Sequence, residues 1–201
     1  VQIRPYRPTD LAHVYDICVR TADAGGDARG QYSTDDLMPD IFAAPYVHLE
    51  PEHAYVADDG GRAVGYVLGT ADSSRFAQRY RDEWIPRLGD KYARPPSLAT
   101  TREEEMLALH FSPERMVVAE LAGFPAHLHI DVLPEWQGKG LGRRLIETLL
   151  DAFAADAVTG VHLVMVSSNV KARAFYDRLG FRQVDVPDSV GVDHLVRSTT
   201  R

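Results

Sequence analysis

Residues 126–153, AHLHIDVLPEWQGKGLGRRLIETLLDAF, can be satisfied by very few local architectures. Leu128, Ile130 and Val132 alternate with polar residues, the period of a strand with one buried face. Pro134 ends that strand, because proline cannot donate to a ladder. Gly138, Gly140 and Gly142 follow within five residues. Leu141, Leu145, Ile146, Leu149, Leu150 and Phe153 then recur at helical spacing, so a helix begins inside the glycine segment. A strand, glycine turn and helix in that order aim several backbone N–H groups, and the positive end of the helix dipole, at one place. An anion belongs there, and phosphate is the usual biological one. Lys139, Arg143 and Arg144 add positive charge around it. The plainer alternative is a tight turn in which glycine only supplies positive φ. Three glycines at a helix start weaken the helix, which argues for a compensating role.

The turn is not a Walker A loop, which needs Gly, four residues, then Gly-Lys-Ser/Thr. Nor is it the dinucleotide fingerprint GxGxxG, because the third glycine comes one residue early. Its pattern is Gln137-x-x-Gly140-x-Gly142 after a strand ending Val132-Leu133-Pro134. This resembles motif A of the GCN5-related N-acetyltransferase (GNAT) superfamily, whose members bind acetyl-coenzyme A. Downstream, Asn169, Ala172, Phe175, Tyr176, Gly180 and Phe181 stand at the spacing of the superfamily's motif B. The run HLHIDVLPEWQGKGLG is further similar to bacterial homologues of the acetyltransferase-like C-terminal domain of human O-GlcNAcase.

The resemblance implies a mixed α/β fold. It would be one domain over 1–201, a twisted mixed sheet of about six to seven strands flanked by helices, with a splayed strand pair at the cofactor site. Residues 1–125 would supply N-terminal strands, helices and acceptor-side insertions, 126–181 the acetyl-CoA motifs, and 182–201 the C-terminal strands. It also implies roles. Backbone groups of Val132 and Leu133 would pair with the pantetheine arm, with Gln137 and Asn169 beside the cofactor. N–H groups of Gly138, Lys139, Gly140, Leu141, Gly142 and Arg143 would hold the pyrophosphate. Tyr176 would protonate the departing thiolate, and the N–H of Val132 would donate to the oxyanion. Monomers and homodimers both fit the family.

At 201 residues, with 45% hydrophobic and 25% charged, the chain can bury a sizeable core. A net charge of −7 argues against nonspecific nucleic-acid binding and mildly favours a cationic or neutral acceptor. One cysteine, Cys18, excludes an intrachain disulfide and fits a reducing compartment. Neither a signal peptide nor an apolar run of bilayer-spanning length is evident, so no membrane role and a cytoplasmic location are expected.

Before the central stretch, residues 2–6 read as a strand. Thr9 or Asp10 would cap a helix carrying Leu11, Val14, Tyr15, Cys18 and Val19 on its apolar face. Cys18 reads there as a small buried hydrophobe. Residues 27–51 are irregular and contain Tyr32, a candidate acceptor contact in a segment expected over the acceptor site. Asp58-Asp59-Gly60-Gly61 is a hairpin turn. Ser73 would cap a helix to about Trp84, with Phe76, Tyr80 and Trp84 as a core or domain-face row and Pro86 ending or bending it. Thr101 to His110 reads as a helix, and 73–115 as an insertion. After the central stretch come a strand over 161–166, a helix capped by Ser168 or Asn169, and strands over 181–186 and 190–197.

His127, His129 and Asp131 project from the face opposite Leu128, Ile130 and Val132. Three polar groups there are unusual in a sheet covered on both sides. Asp131 and His129 are therefore candidates to take the acceptor's proton, with His127 lining the acceptor pocket. A hydrogen-bonded network without chemistry is the competing reading. His-x-His-x-Asp also supplies zinc ligands in some hydrolases, but those need further ligands that are missing here, so no metal is expected. The expected activity is N-acetyl transfer to a primary amine by direct attack. The alternatives are a catalytically weak acetyl-CoA-binding module and, remotely, a zinc hydrolase.

Overall fold

A computed structural model describes residues 1–199; the last two residues of the 182–201 segment lie outside it. Seven strands form one sheet: β1 (Gln2–Pro5), β2 (Ala54–Asp59), β3 (Arg62–Thr70), β4 (Ala126–Val132), β5 (Gly160–Val166), β6 (Arg182–Val184) and β7 (Val192–Ser198), in the order β1-β2-β3-β4-β5-β7-β6. Every neighbouring pair is antiparallel except β4 and β5. The helices are α1 (Leu11–Val19), α2 (Leu37–Phe42), α3 (Ala44–Leu49), α4 (Ser73–Arg79), α5 (Ile85–Leu88), α6 (Arg102–His110), α7 (Leu141–Ala155) and α8 (Val170–Arg178).

The parallel pair follows from α7, which carries the chain from β4 back to the start of β5. Its Leu145, Ile146, Leu149, Leu150 and Phe153 are buried against one face of the sheet. Gly69 on β3 permits this close approach: a Cβ there would sit 2.8 Å from the Phe153 ring and 3.0 Å from the His127 carbonyl. On the other face, α1 contributes Val14, Ile17, Cys18 and Val19, all buried, and α3 contributes Tyr46, 2% exposed.

Several local expectations change. Asp10 does not cap α1 with its side chain. Its carboxylate accepts from Arg4 at 2.7 and 2.8 Å and from the Arg7 N–H at 2.8 Å, so a buried ion pair takes it. Asp72, not Ser73, caps α4, accepting from the N–H groups of Ser74 and Arg75. The helix does not stop at Pro86. One π turn over Tyr80–Trp84 leads into α5, where Pro86 falls in the first turn and its missing N–H costs nothing. Within the 27–51 excursion, α2 and α3 are largely buried. Fully buried Asp40 ties it to the insertion. Its carboxylate accepts from Tyr15, from Tyr92 at 2.8 Å and from Lys91 at 2.7 Å, and its carbonyl accepts from Trp84 Nε1 at 2.8 Å. Among the described residues no helix is long and apolar enough to cross a membrane.

Candidate active site

The ladder between β4 and β5 covers only Ala126–Val161 and His127–His162. Beyond those pairs the strands diverge into a V that opens toward their C-terminal ends. Leu133 N–H donates to Val64 C=O at 3.0 Å, and the register sets Val132 against Gly65. Bonding to β3 thus falls on residues 133, 131 and 129, and the amides of Ile130 and Val132 face the V. The side chain of Gln137 donates to Val132 C=O at 2.9 Å. Leu133 C=O accepts from Trp136 N–H at 2.8 Å. Leu133 anchors the end of β4 with a buried side chain, and its carbonyl keeps a second acceptor position.

A single 3₁₀ turn, Pro134–Trp136, leads from β4 into the glycine segment. Gly138 and Gly140 lie at φ +72° and +78°, with nothing within 4 Å of a Cβ built on either. They are there for backbone conformation. Gly142 has an ordinary φ, but its Cβ would sit 3.0 Å from the Phe175 ring, so it lets α7 approach α8. Gly140 precedes α7, whose first return bond runs from Arg144 N–H to Gly140 C=O at 3.2 Å. Among the described residues, the six N–H groups from Gly138 to Arg143 have no protein acceptor. Lys139 lies over the Trp136 ring at 4.5 Å, and Arg143 reaches Glu147 at 3.4 Å. Unpaired amides at a helix start, beside a cleft edged with more unpaired amides, fit a diphosphate carrying an amide-containing arm.

Asn169 caps α8, accepting from Ala172 N–H at 3.0 Å, and donates to Ala24 C=O at 3.3 Å, which holds the 20–26 turn against the V. Tyr176 on α8 is half-buried, and burial together with the charge of Asp131 raises its phenol. At neutral pH it therefore keeps its proton. Asp131 on β4 accepts from Tyr66 Oη at 2.6 Å. Burial pushes the Asp131 carboxyl up to about 6, against the lowering effect of hydrogen bonds from Tyr66 and Thr21. Cys18 lies against Tyr66 with its thiol raised by burial, an inert member of the same cluster.

The two histidines differ. His127 is 5% exposed, with Nε2 2.7 Å from Tyr46 Oη and Nδ1 2.7 Å from Ser73 Oγ. Ser73 spends its own proton on Pro125 C=O. The protonated nitrogen of His127 is therefore Nδ1, and Nε2 accepts from Tyr46. Burial holds this ring neutral. Both nitrogens are engaged, so His127 supplies a wall rather than a free polar group. Replacing Tyr46 by Phe is expected to cost about 1–2 kcal/mol in urea unfolding, since Nε2 is left buried without its donor. His129 has no hydrogen-bond partner among the described residues. Burial, with the charge of Arg115 adding, lowers it to about 4, so it too is neutral at pH 7.

At the apex of the V lies a cavity of about 70 Å³, whose lining includes Tyr46, Arg115, His127, His129, His162 and Val164. Tyr32 is not among its lining residues. Instead it packs beside Leu37, Ile41, Tyr92 and Leu107, while Tyr46 is the tyrosine of the 27–51 segment that lines the cavity. Among the described residues, no group of three His, Cys, Asp or Glu side chains is placed to hold a metal ion.

A family model, Acetyltransferase (GNAT) family, matches residues 10–181. The chain belongs to the GNAT acetyltransferase family. This acetyltransferase is 30% identical over 180 residues to Protein O-GlcNAcase of Rattus norvegicus, a match covering 89% of the chain and 20% of that protein. The chain thus spans about a fifth of the length of that relative. It is 33% identical over 99 residues to the [Ribosomal protein bS18]-alanine N-acetyltransferase of Salmonella typhimurium, covering 49% of the chain and 63% of that protein. The crystal structure of SsHAT matches with a TM-score of 0.95 and 55% identity, covering 100% of this chain and 98% of that one. Sequence reasoning missed Tyr46, Tyr66, Thr21 and Arg115. Tyr66 alone left a trace, as an inward aromatic in the alternating β3 pattern that pairs with β4. The others come from the turn after α1, from α3 and from a 3₁₀ turn, whose docking no local pattern encodes.

Proposed function

We propose that this acetyltransferase moves an acetyl group from acetyl-coenzyme A to the nitrogen of a primary amine, by direct attack with both substrates bound. What supports the reading is that Asp131 on β4 and Tyr176 on α8 are close enough for the carboxylate's charge to act on the phenol, the first with a raised pKa and the second keeping its proton. The amides from Gly138 to Arg143 would hold the pyrophosphate. Those of Ile130 and Val132 would hold the arm and donate to the carbonyl oxygen as it gains charge. Bound acetyl-coenzyme A supplies an activated acyl carbon with a thiolate leaving group. Asp131 takes the amine's proton, directly or through water, and Tyr176 Oη returns one to the sulfur. His129, neutral and open to the cavity, would orient the acceptor. The bS18-alanine N-acetyltransferase relatives support nitrogen as the accepting atom.

An amine panel read by coenzyme A release tests this directly. Turnover of at least one amine is expected; tight acetyl-CoA binding with no turnover across the panel would leave a binding module. Tyr176→Phe is expected to lower kcat about 10- to 100-fold with the Kd of acetyl-CoA within about two-fold of wild type, because the phenol acts on the leaving group. An unchanged kcat would remove Tyr176 from the chemistry.

A further inference from the structure

The chain carries a net charge of −7, yet the cavity at the apex of the V is lined by a cation without a counter-ion. Arg115 belongs to the 3₁₀ turn Pro113–Met116. Its Nε donates to Leu109 C=O at 3.2 Å, and its guanidinium carbon lies 5.7 Å from the centre of the Phe42 ring. Backbone and ring thus fix the planar group from two sides. Among the described residues no carboxylate lies within 4.0 Å of it, although its neighbour Glu114 pairs with Arg81. Its charge acts on Tyr46, Tyr80, His110, His127 and His129. The three histidines in that set are all held neutral by burial. Arg94, over the Phe111 ring at 4.6 Å and also without a carboxylate partner among the described residues, adds positive charge on the His110 side.

The polarity of the site therefore runs along β4. The candidate base, Asp131, lies toward the open end of the V. Arg115 lies beside His127 and His129 at the closed end, two to four residues back along the strand, or about 7–13 Å at the usual strand rise. An amine delivered to Asp131 would have its far end beside Arg115. Arg115 is solvent-exposed, but its guanidinium is held by a backbone carbonyl and a ring face and has no carboxylate partner among the described residues, so it is free to pair bidentately with a planar or tetrahedral anion. A second ammonium at that end would meet only repulsion.

We infer that the acceptor is a small amine bearing an anionic group, a carboxylate or a phosphate, several bonds from its nitrogen, and that Arg115 is the residue selecting it. This rests on the amine-acetylation reading and narrows it. It also reverses the acceptor charge expected from net composition, because one local cation outweighs a diffuse negative surface at this distance.

Matched amines separate the possibilities. 6-Aminohexanoate is compared with hexylamine and 1,6-diaminohexane, and glucosamine 6-phosphate with glucosamine. The carboxylate and phosphate arms show which anion is read. The anionic member of at least one set is expected to have a kcat/KM 10-fold or more above its partners, carried mainly by KM. Arg115→Met is expected to remove that advantage, and Arg115→Lys to restore part of it. Calorimetry with acetyl-CoA on both variants checks that the cofactor side is intact. Neutral or dicationic amines acetylated as well as anionic ones, with Arg115→Met leaving their ratio unchanged, would overturn the inference while keeping amine acetylation. Independently of turnover, the Arg115 Nε–H resonance is expected to shift and saturate with glutarate or inorganic phosphate. No shift with either anion would overturn the inference whatever the enzyme acetylates.

Discussion

Asp131→Asn is expected to lower kcat by about 100-fold or more and to abolish the acidic limb of the pH profile near pH 6. The wild-type carboxyl sits at about 6 because burial opposes its charge, while Tyr66 and Thr21 pull the other way. A base must be deprotonated to act, so kcat/KM should rise as pH climbs through that value. The same shift fixes the sign of the stability effect. The folded pKa lies above the unfolded value of about 3.9, so the folded chain holds the proton more tightly between the two. The ionised group therefore costs stability that grows as pH rises through that window and is complete above about pH 6, at most about 2–3 kcal/mol. Asparagine carries no such charge and can still accept from Tyr66. The variant should be no less stable than wild type at pH 8, and more stable if the full cost applies. A mutant that loses turnover while keeping or gaining thermal stability separates a proton acceptor from a structural network member. A variant that unfolds more easily, with unaltered turnover per folded molecule, would make Asp131 structural.

Gly140→Val is expected to raise the Kd of acetyl-CoA about 10- to 100-fold by calorimetry, with only a modest loss of stability. A Cβ at this position meets nothing within 4 Å, so there is no clash to accommodate. The difficulty is the backbone: φ is +78° and ψ 0°, a left-handed conformation costing a side chain with a Cβ about 1–2 kcal/mol, and a β-branched one more. Relaxing it rotates the peptide planes on both sides and turns the amides of Gly140 and Leu141 away from the shared focus. Losing one charge-assisted hydrogen bond of about 1.5–3 kcal/mol gives the stated range. A Kd within two-fold of wild type would mean that the turn does not grip the diphosphate.

The parts legible in the sequence were those written in short-range chemistry. β4, the glycine turn and α7 carry their periods and their punctuation within a single stretch. Asn169 and Gly180 mark the two ends of α8: Asn169 caps it, and Gly180 follows it at φ +79°. The splay was expected from family resemblance, and the two-pair ladder of β4 and β5 has that form. What stayed hidden depends on tertiary docking. Asp10 and Ser73 have good capping chemistry but were claimed by stronger partners, a buried Arg4 in one case and His127 with Pro125 in the other. Pro86 did not break its helix because a π turn shifted the register first. Tyr32 and Tyr46 lie in the same irregular stretch, and only the packing of α3 on β4 decides which one reaches the cavity. Arg115 carried no signal, since nothing local to a polar segment shows which exposed arginine will line a cavity.

The most direct test is an ¹⁵N–¹H NMR titration of the unliganded protein with acetyl-coenzyme A. The amides of Gly138 through Arg143 should shift and saturate together with those of Ile130 and Val132, since one ligand would span both groups. Saturation elsewhere with these eight signals unmoved, or no saturable change at all, would contradict the cofactor site described here.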